Sequence, residues 1–117
     1  MSAQKMGVAE LDKAKSVEMR PGLYRRTLVY NDEMMLCHFI LEQGVKLELH
    51  QHAAVQSGYV IKGKIKFIKG DGTSFIANAG TSYIFDSNEM HSIEETYEPS
   101  EIVECFTPMR PEYLLND

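Results

Sequence analysis

The stretch Gly44-Val45-Lys46-Leu47-Glu48-Leu49-His50-Gln51-His52-Ala53-Ala54-Val55-Gln56-Ser57-Gly58-Tyr59-Val60-Ile61-Lys62-Gly63 decides how this chain is read. Two histidines stand two residues apart, a glutamine follows four residues later, and a glycine closes each end. On a strand, residues i and i+2 point to one face, so His50 and His52 project together. Gln56 then opens the next strand. A polar cluster of this kind inside an apolar, strand-forming run has a chemical reason rather than a packing reason.

Outward from this stretch, short apolar runs alternate with turn residues. Strands are expected at 23–30, 34–41, 45–50, 57–62, 65–69, 74–77, 82–85, 91–97 and 102–107. Asn31-Asp32-Glu33 and Gly70-Asp71-Gly72 supply turn chemistry, and Lys62-Gly63-Lys64 reads as a tight reversal. Asn78-Ala79-Gly80 and Asp86-Ser87-Asn88 are further loops. No window keeps a 3.6-residue apolar period, which excludes a helical bundle. Residues 1–15 form a polar lead-in, with a helical turn or two expected over 9–15. Residues 16–117 form the barrel domain. A short turn is expected at 111–115, where Pro111 suits a first helical position. The fold class is all-β, an antiparallel jelly-roll barrel in one domain.

Composition narrows the functions. The 117 residues carry 17 acidic and 12 basic side chains, a net charge of -5. A phosphate-binding face needs clustered cations, so a nucleic-acid partner is not expected. No apolar run is long enough to span a bilayer, and 1–15 does not read as a secretory signal, so a cytoplasmic location is expected, with no membrane partner. Cys37 and Cys105 are then two reduced thiols.

Three of the four histidines enter one constellation. His91 follows Gly80 and begins a strand across the barrel from His50, His52 and Gln56. Three imidazoles and an amide oxygen at a barrel mouth suit one first-row divalent metal, whether Mn, Fe, Co, Ni or Zn, with positions left for water or substrate. The fourth, His38, shares a face with Met34, Leu36 and Ile40 and reads as a bystander. The pattern resembles the cupin family, whose first motif is Gly-X5-His-X-His-X3–4-Glu-X6-Gly. Only Gln56, in place of Glu, departs from it. In the second motif Gly80 and His91 fit, while Asp86, Asn88 and Glu95 stand where the family has Pro, Gly and Asn. The resemblance implies a cupin barrel with His50, His52, Gln56 and His91 as metal ligands. A neutral ligand set leaves the metal its full charge, which weakens binding and strengthens its action on an anionic ligand. A barrel that no longer holds metal is the other reading of Gln56.

The tail Glu104-Cys105-Phe106-Thr107-Pro108-Met109-Arg110 is the second informative stretch. Alternation puts Ile102, Glu104 and Phe106 on one face. If that face is the inner one, Glu104 is a buried carboxylate near the metal. If it is the outer one, Glu104 is a surface residue, Arg110 a surface ion-pair partner of Glu104, Glu112 or the chain terminus, and Phe106 simple packing. The tail resembles that of the pectin-degradation cupins that linearise unsaturated uronates. That resemblance implies Glu104 as acid/base (an Asp in those proteins), Phe106 as the substrate-packing aromatic, and Arg110 as the partner of a substrate carboxylate. The function expected is a metal-binding enzyme opening the ring of a 4,5-unsaturated uronate. A metal-dependent dioxygenase and a non-catalytic small-molecule-binding module are the alternatives. A homodimer is expected, with 23–30 as an edge strand and Tyr24 and Tyr30 on its outer face. Lys46 and Glu48 stand either at the cavity rim or beyond it.

Overall fold

The computed structural model describes residues 3–115. Among them lie eight strands: β1 (Gln4–Lys5), β2 (Val17–Arg20), β3 (Leu23–Tyr30), β4 (Met35–Leu41), β5 (Val55–Lys69), β6 (Ser74–Asn78), β7 (Ser82–Phe85) and β8 (His91–Thr107). Single 3-10 turns follow at Leu11–Lys13 and Pro111–Leu114. The architecture is the all-β barrel expected.

The two long strands, β5 and β8, build the barrel. They pair antiparallel from Val55↔Thr107 to Lys69↔His91, with register shifts between Val60 and Phe67. Bulges of this kind bend a ribbon and sharpen its twist. Each long strand therefore belongs to both walls. The 55–59 part of β5 carries β7 on its other edge, and the 64–68 part carries β6. β4 pairs with the last part of β8, and β3 with β4.

The expected reversal at Lys62-Gly63-Lys64 is corrected. Gly63 is a bend inside one continuous strand, so 57–62 and 65–69 are a single element, as are 91–97 and 102–107. Gly63 has φ +108°, and a Cβ there would stand 2.0 Å from Ser100 Oγ and 2.6 Å from its Cα. Two strands cross too closely at this corner for any side chain, and the backbone angle independently favours glycine.

The expected strand at 45–50 is also corrected. This segment runs beside the start of β8 through Leu47 N–H to the Ile93 carbonyl and a two-way bridge between His50 and His91, without forming a regular ladder. The sequence reading passed over β2 and β1, which pair with β3 on the side away from β4. β3 is thus covered on that side at residues 23–25 and 29–30, which leaves a shorter edge than an unpaired strand would.

Alternation fixes the core. Met35, Cys37, Phe39 and Leu41 of β4 and Ile102, Glu104 and Phe106 of β8 all point inward and are buried. Burying side chains the size of Phe106 or Met35 contributes about 1.5–3 kcal/mol each. Phe67, Phe75, Tyr83 and Phe85 form an aromatic cluster between β5, β6 and β7. His38 lies on the other face of β4. It is nonetheless buried, with its Nε2 2.5 Å from Glu101 Oε2.

Candidate metal centre

The backbone aims the three histidines. His50 and His91 are bridged strand to strand, and His52 is fixed by its carbonyl, which accepts the Asn88 N–H at 2.7 Å. Asn88 stands at φ +61°, where the family motif has glycine. Asparagine tolerates this left-handed conformation better than most residues, so the substitution preserves the turn. Nδ1 of each ring meets a backbone carbonyl two residues away: Glu48 for His50 at 3.0 Å, Ala54 for His52 at 2.7 Å, Glu89 for His91 at 2.7 Å. A neutral imidazole has one N–H, and a carbonyl can only accept it. Nε2 of all three rings therefore carries a lone pair.

These lone pairs converge. The ligand atoms of His50, His52 and His91 lie within 4.8 Å of one another. Gln56 Oε1 stands 2.9 Å from His52 Nε2 and 3.2 Å from His91 Nε2. Protonating the rings would satisfy the oxygen, but burial holds His52 below its usual range and His91 down to about 4. Acceptors facing acceptors, with the N–H groups committed elsewhere, are the donor set of a cation site, and outer carbonyls of this kind orient metal-bound histidines. The residues present therefore fit a divalent first-row metal.

The other end of Gln56 explains its orientation. Its Nε2 donates to Glu104 Oε2 at 2.7 Å, which leaves Oε1 directed at the histidines. The Tyr83 hydroxyl donates to the same Oε2 at 2.6 Å. Glu104 is inside the barrel, 5 % exposed. Burial raises its pKa, while the two donors and the nearby Arg110 pull the other way. Tyr83 is pushed well above the usual phenol range by burial and by Glu104 itself. Glu104 is no direct neighbour of the histidines; one amide separates it from them.

A cavity of about 240 Å³ opens beside this cluster. His50, Gln56, His91, Glu104, Arg110 and Tyr113 form its polar side, and Leu23, Phe39, Leu41 and Ile102 contribute an apolar wall. Arg110 returns over the barrel after the Pro-containing bend. Its Nη1 donates to the Tyr113 hydroxyl at 2.9 Å, and its guanidinium lies over the Tyr113 ring at 4.2 Å. Its Nε is buried without a partner. Glu112 is 3.5 Å from Nη2, so the ion pair is the weak, rim-type contact. Phe106 is 1 % exposed, edge-on to His52 at 6.0 Å and to Tyr113 at 5.3 Å. The ring that lines the cavity beside Arg110 is Tyr113, with Phe106 packed against it.

Several site residues escaped the sequence reading. Tyr113 is pinned by Thr27 Oγ1, which donates to its carbonyl at 2.7 Å, and its ring takes Arg25 at 4.8 Å. Met19 and Arg20 bring β2 to the cavity. Glu48, exposed, pairs with Arg20 at 3.3 Å, and Lys46 with Glu95 at 3.8 Å. The Pro-X-X at 111–113 gave a signal for a turn, but none for the direction in which Tyr113 points.

Comparison with known proteins agrees with this geometry. Residues 37–106 match the family model of the cupin domain. The chain is 26% identical over 104 residues to the pectin degradation protein KdgF of Dickeya dadantii, covering 88% of this chain and 94% of that protein. The structure of KdgF from Halomonas sp. superposes with a TM-score of 0.84 at 22% identity, over 92% of this chain and 99% of that one. An RmlC-like cupin from Shewanella frigidimarina gives 0.84 at 22% identity, over 91% and 94%. The polyketide cyclase RemF from Streptomyces resistomycificus gives 0.77 at 18%, over 91% and 82%.

Proposed function

We propose that this chain, which belongs to the cupin domain family, is a metal-dependent enzyme that opens the ring of a 4,5-unsaturated uronate to the linear keto form. The observation that carries this reading is the placement of a buried carboxylate, Glu104, on the same cavity wall as Arg110 and one amide from the three-histidine cluster. The likeness to a pectin degradation protein supports the substrate class.

His50, His52, Gln56 and His91 would hold the metal, which supplies Lewis acidity toward the sugar's oxygens. Arg110 takes the substrate carboxylate, its partnerless Nε being one donor for it. Glu104 receives the proton of the anomeric hydroxyl. The C1–O5 bond breaks, C1 becomes the aldehyde carbon, and the released electron pair makes O5 an enolate. Glu104 returns the proton to C4, and C5 becomes the ketone. The product is an isomer, so no oxidant or reductant is needed. Phe106 supports Arg110 and His52 from the core, and Tyr113 provides the aromatic wall.

The test is direct. Metal-loaded protein is mixed with unsaturated galacturonate, and loss of the enol chromophore is followed. The expected result is a rate well above the spontaneous one, falling by about 10²–10⁴ in Glu104→Gln. No rate above the spontaneous one overturns the reading.

A further inference from the structure

Tyr83, Gly58 and Glu104 occupy one row across three strands: Gly58 pairs with Tyr83 of β7 on one side and with Glu104 of β8 on the other. The outer two backbones are therefore about 9–10 Å apart. A side chain on the middle strand would normally fill that gap. Here there is none, and a Cβ at Gly58 would stand 2.3 Å from Tyr83 Cζ and 2.4 Å from its hydroxyl oxygen. The tyrosine ring reaches across the strand through the space the glycine leaves.

We infer that Tyr83 is a positioning residue for the reaction proposed above, holding Glu104 by Oε2 so that Oε1 faces the substrate. Both donors to this carboxylate, the Tyr83 hydroxyl at 2.6 Å and Gln56 Nε2 at 2.7 Å, land on the same oxygen. Oε1 takes no hydrogen bond from the described residues, and Glu104 lines the cavity. The tyrosine cannot swing away. Its ring is packed by Phe67 at 4.6 Å and Phe85 at 5.5 Å. A glutamate has one more rotatable bond than an aspartate, and an untethered one would spread over several rotamers. Packing alone would be served as well by phenylalanine. The buried hydroxyl finds its partner in Glu104, which gives the carboxylate a fixed address.

This inference rests on the proposed reaction, and the experiment separates the two. In Tyr83→Phe, kcat is expected to fall about tenfold to a hundredfold, with KM within about twofold and metal uptake unchanged. On a Glu104→Asp background the same substitution should cost nothing further, because the shorter carboxylate no longer reaches the hydroxyl. The carboxyl ¹³C resonance of Glu104, assigned by its loss in Glu104→Gln, should shift in Tyr83→Phe, a readout independent of turnover. If Tyr83→Phe does not fold, 3-fluorotyrosine at position 83 is the second variant: it keeps the ring and the hydroxyl but changes the hydroxyl's donor strength, and is expected to change kcat and the Glu104 carboxyl resonance together, while no change in either overturns the positioning role. A parent protein with no turnover overturns the reaction and this inference together. An active parent with kcat unchanged in Tyr83→Phe, or with equal losses on both backgrounds, overturns the positioning role alone.

Discussion

Gln56 faces two ways: its amide nitrogen is committed to Glu104 and its oxygen to the histidines. That double duty was half legible in the sequence. The spacing from His52 marked Gln56 as a candidate ligand, but nothing local says that a residue forty-eight positions away fixes its flip. Exchanging Gln56 for Glu would place a second carboxylate against Glu104. We expect tighter metal binding by isothermal titration, and loss of activity because two adjacent carboxylates share a proton. His91→Ala should abolish stoichiometric metal uptake, measured by elemental analysis of dialysed protein, while leaving the fold intact by circular dichroism. The histidines also set an acid limit. The folded-state pKa values of His52 and His91 are lowered by burial, that of His91 from 6.5 to about 4, so well above pH 6.5 these two are neutral in both states and contribute no pH dependence. Between pH 6.5 and about 4 the unfolded chain binds protons that the folded chain refuses. Urea unfolding of metal-free protein should therefore give a lower midpoint at pH 5 than at pH 7.5.

Among elements, β3 and β7 were read to the residue and β4 and β6 to within one, because each alternates cleanly and ends in turn chemistry. β5 and β8 were read as broken strands. Gly63 sits where a hairpin turn would be written, and a bulge uses the same residue for the same backbone angle; only the partner strand distinguishes them. β2 has no alternation to detect: its burial follows from its place on β3, not from its own pattern. The corner can be tested. Gly63→Ala forces a methyl onto Ser100 and a strained φ, and should destabilise the protein by about 2–3 kcal/mol, read from denaturant midpoints. Gly44→Ala, with φ +91° but open space around it, should cost less, which separates the contact from the angle.

At the scale of the molecule, the barrel class, the grouping of His50, His52 and His91, and the shared face of Ile102, Glu104 and Phe106 were legible in motif spacing and alternation, but which side that face takes was left open by the sequence. The Tyr83 contact and the cavity wall at Tyr113 were not, because they depend on which strands become neighbours. Metal held by the folded barrel alone should stabilise it by mass action. At a free concentration a hundredfold above Kd the gain is about 2.7 kcal/mol, and a chelator should lower Tm accordingly in calorimetry. The long ribbon has a kinetic side as well. Lys69 and His91 close the shorter loop, while Val55 and Thr107 close the longer one around it. Loop closure favours zipping from the first pair toward the second. Gln56 and Glu104 sit at the far end, and we expect them to meet late, after the climb over the folding barrier. An ion that needs Gln56 can then do little to hasten folding. Its effect belongs to escape: removing it should leave refolding times unchanged and make the native protein open faster, a difference that stopped-flow refolding and unfolding arms would separate.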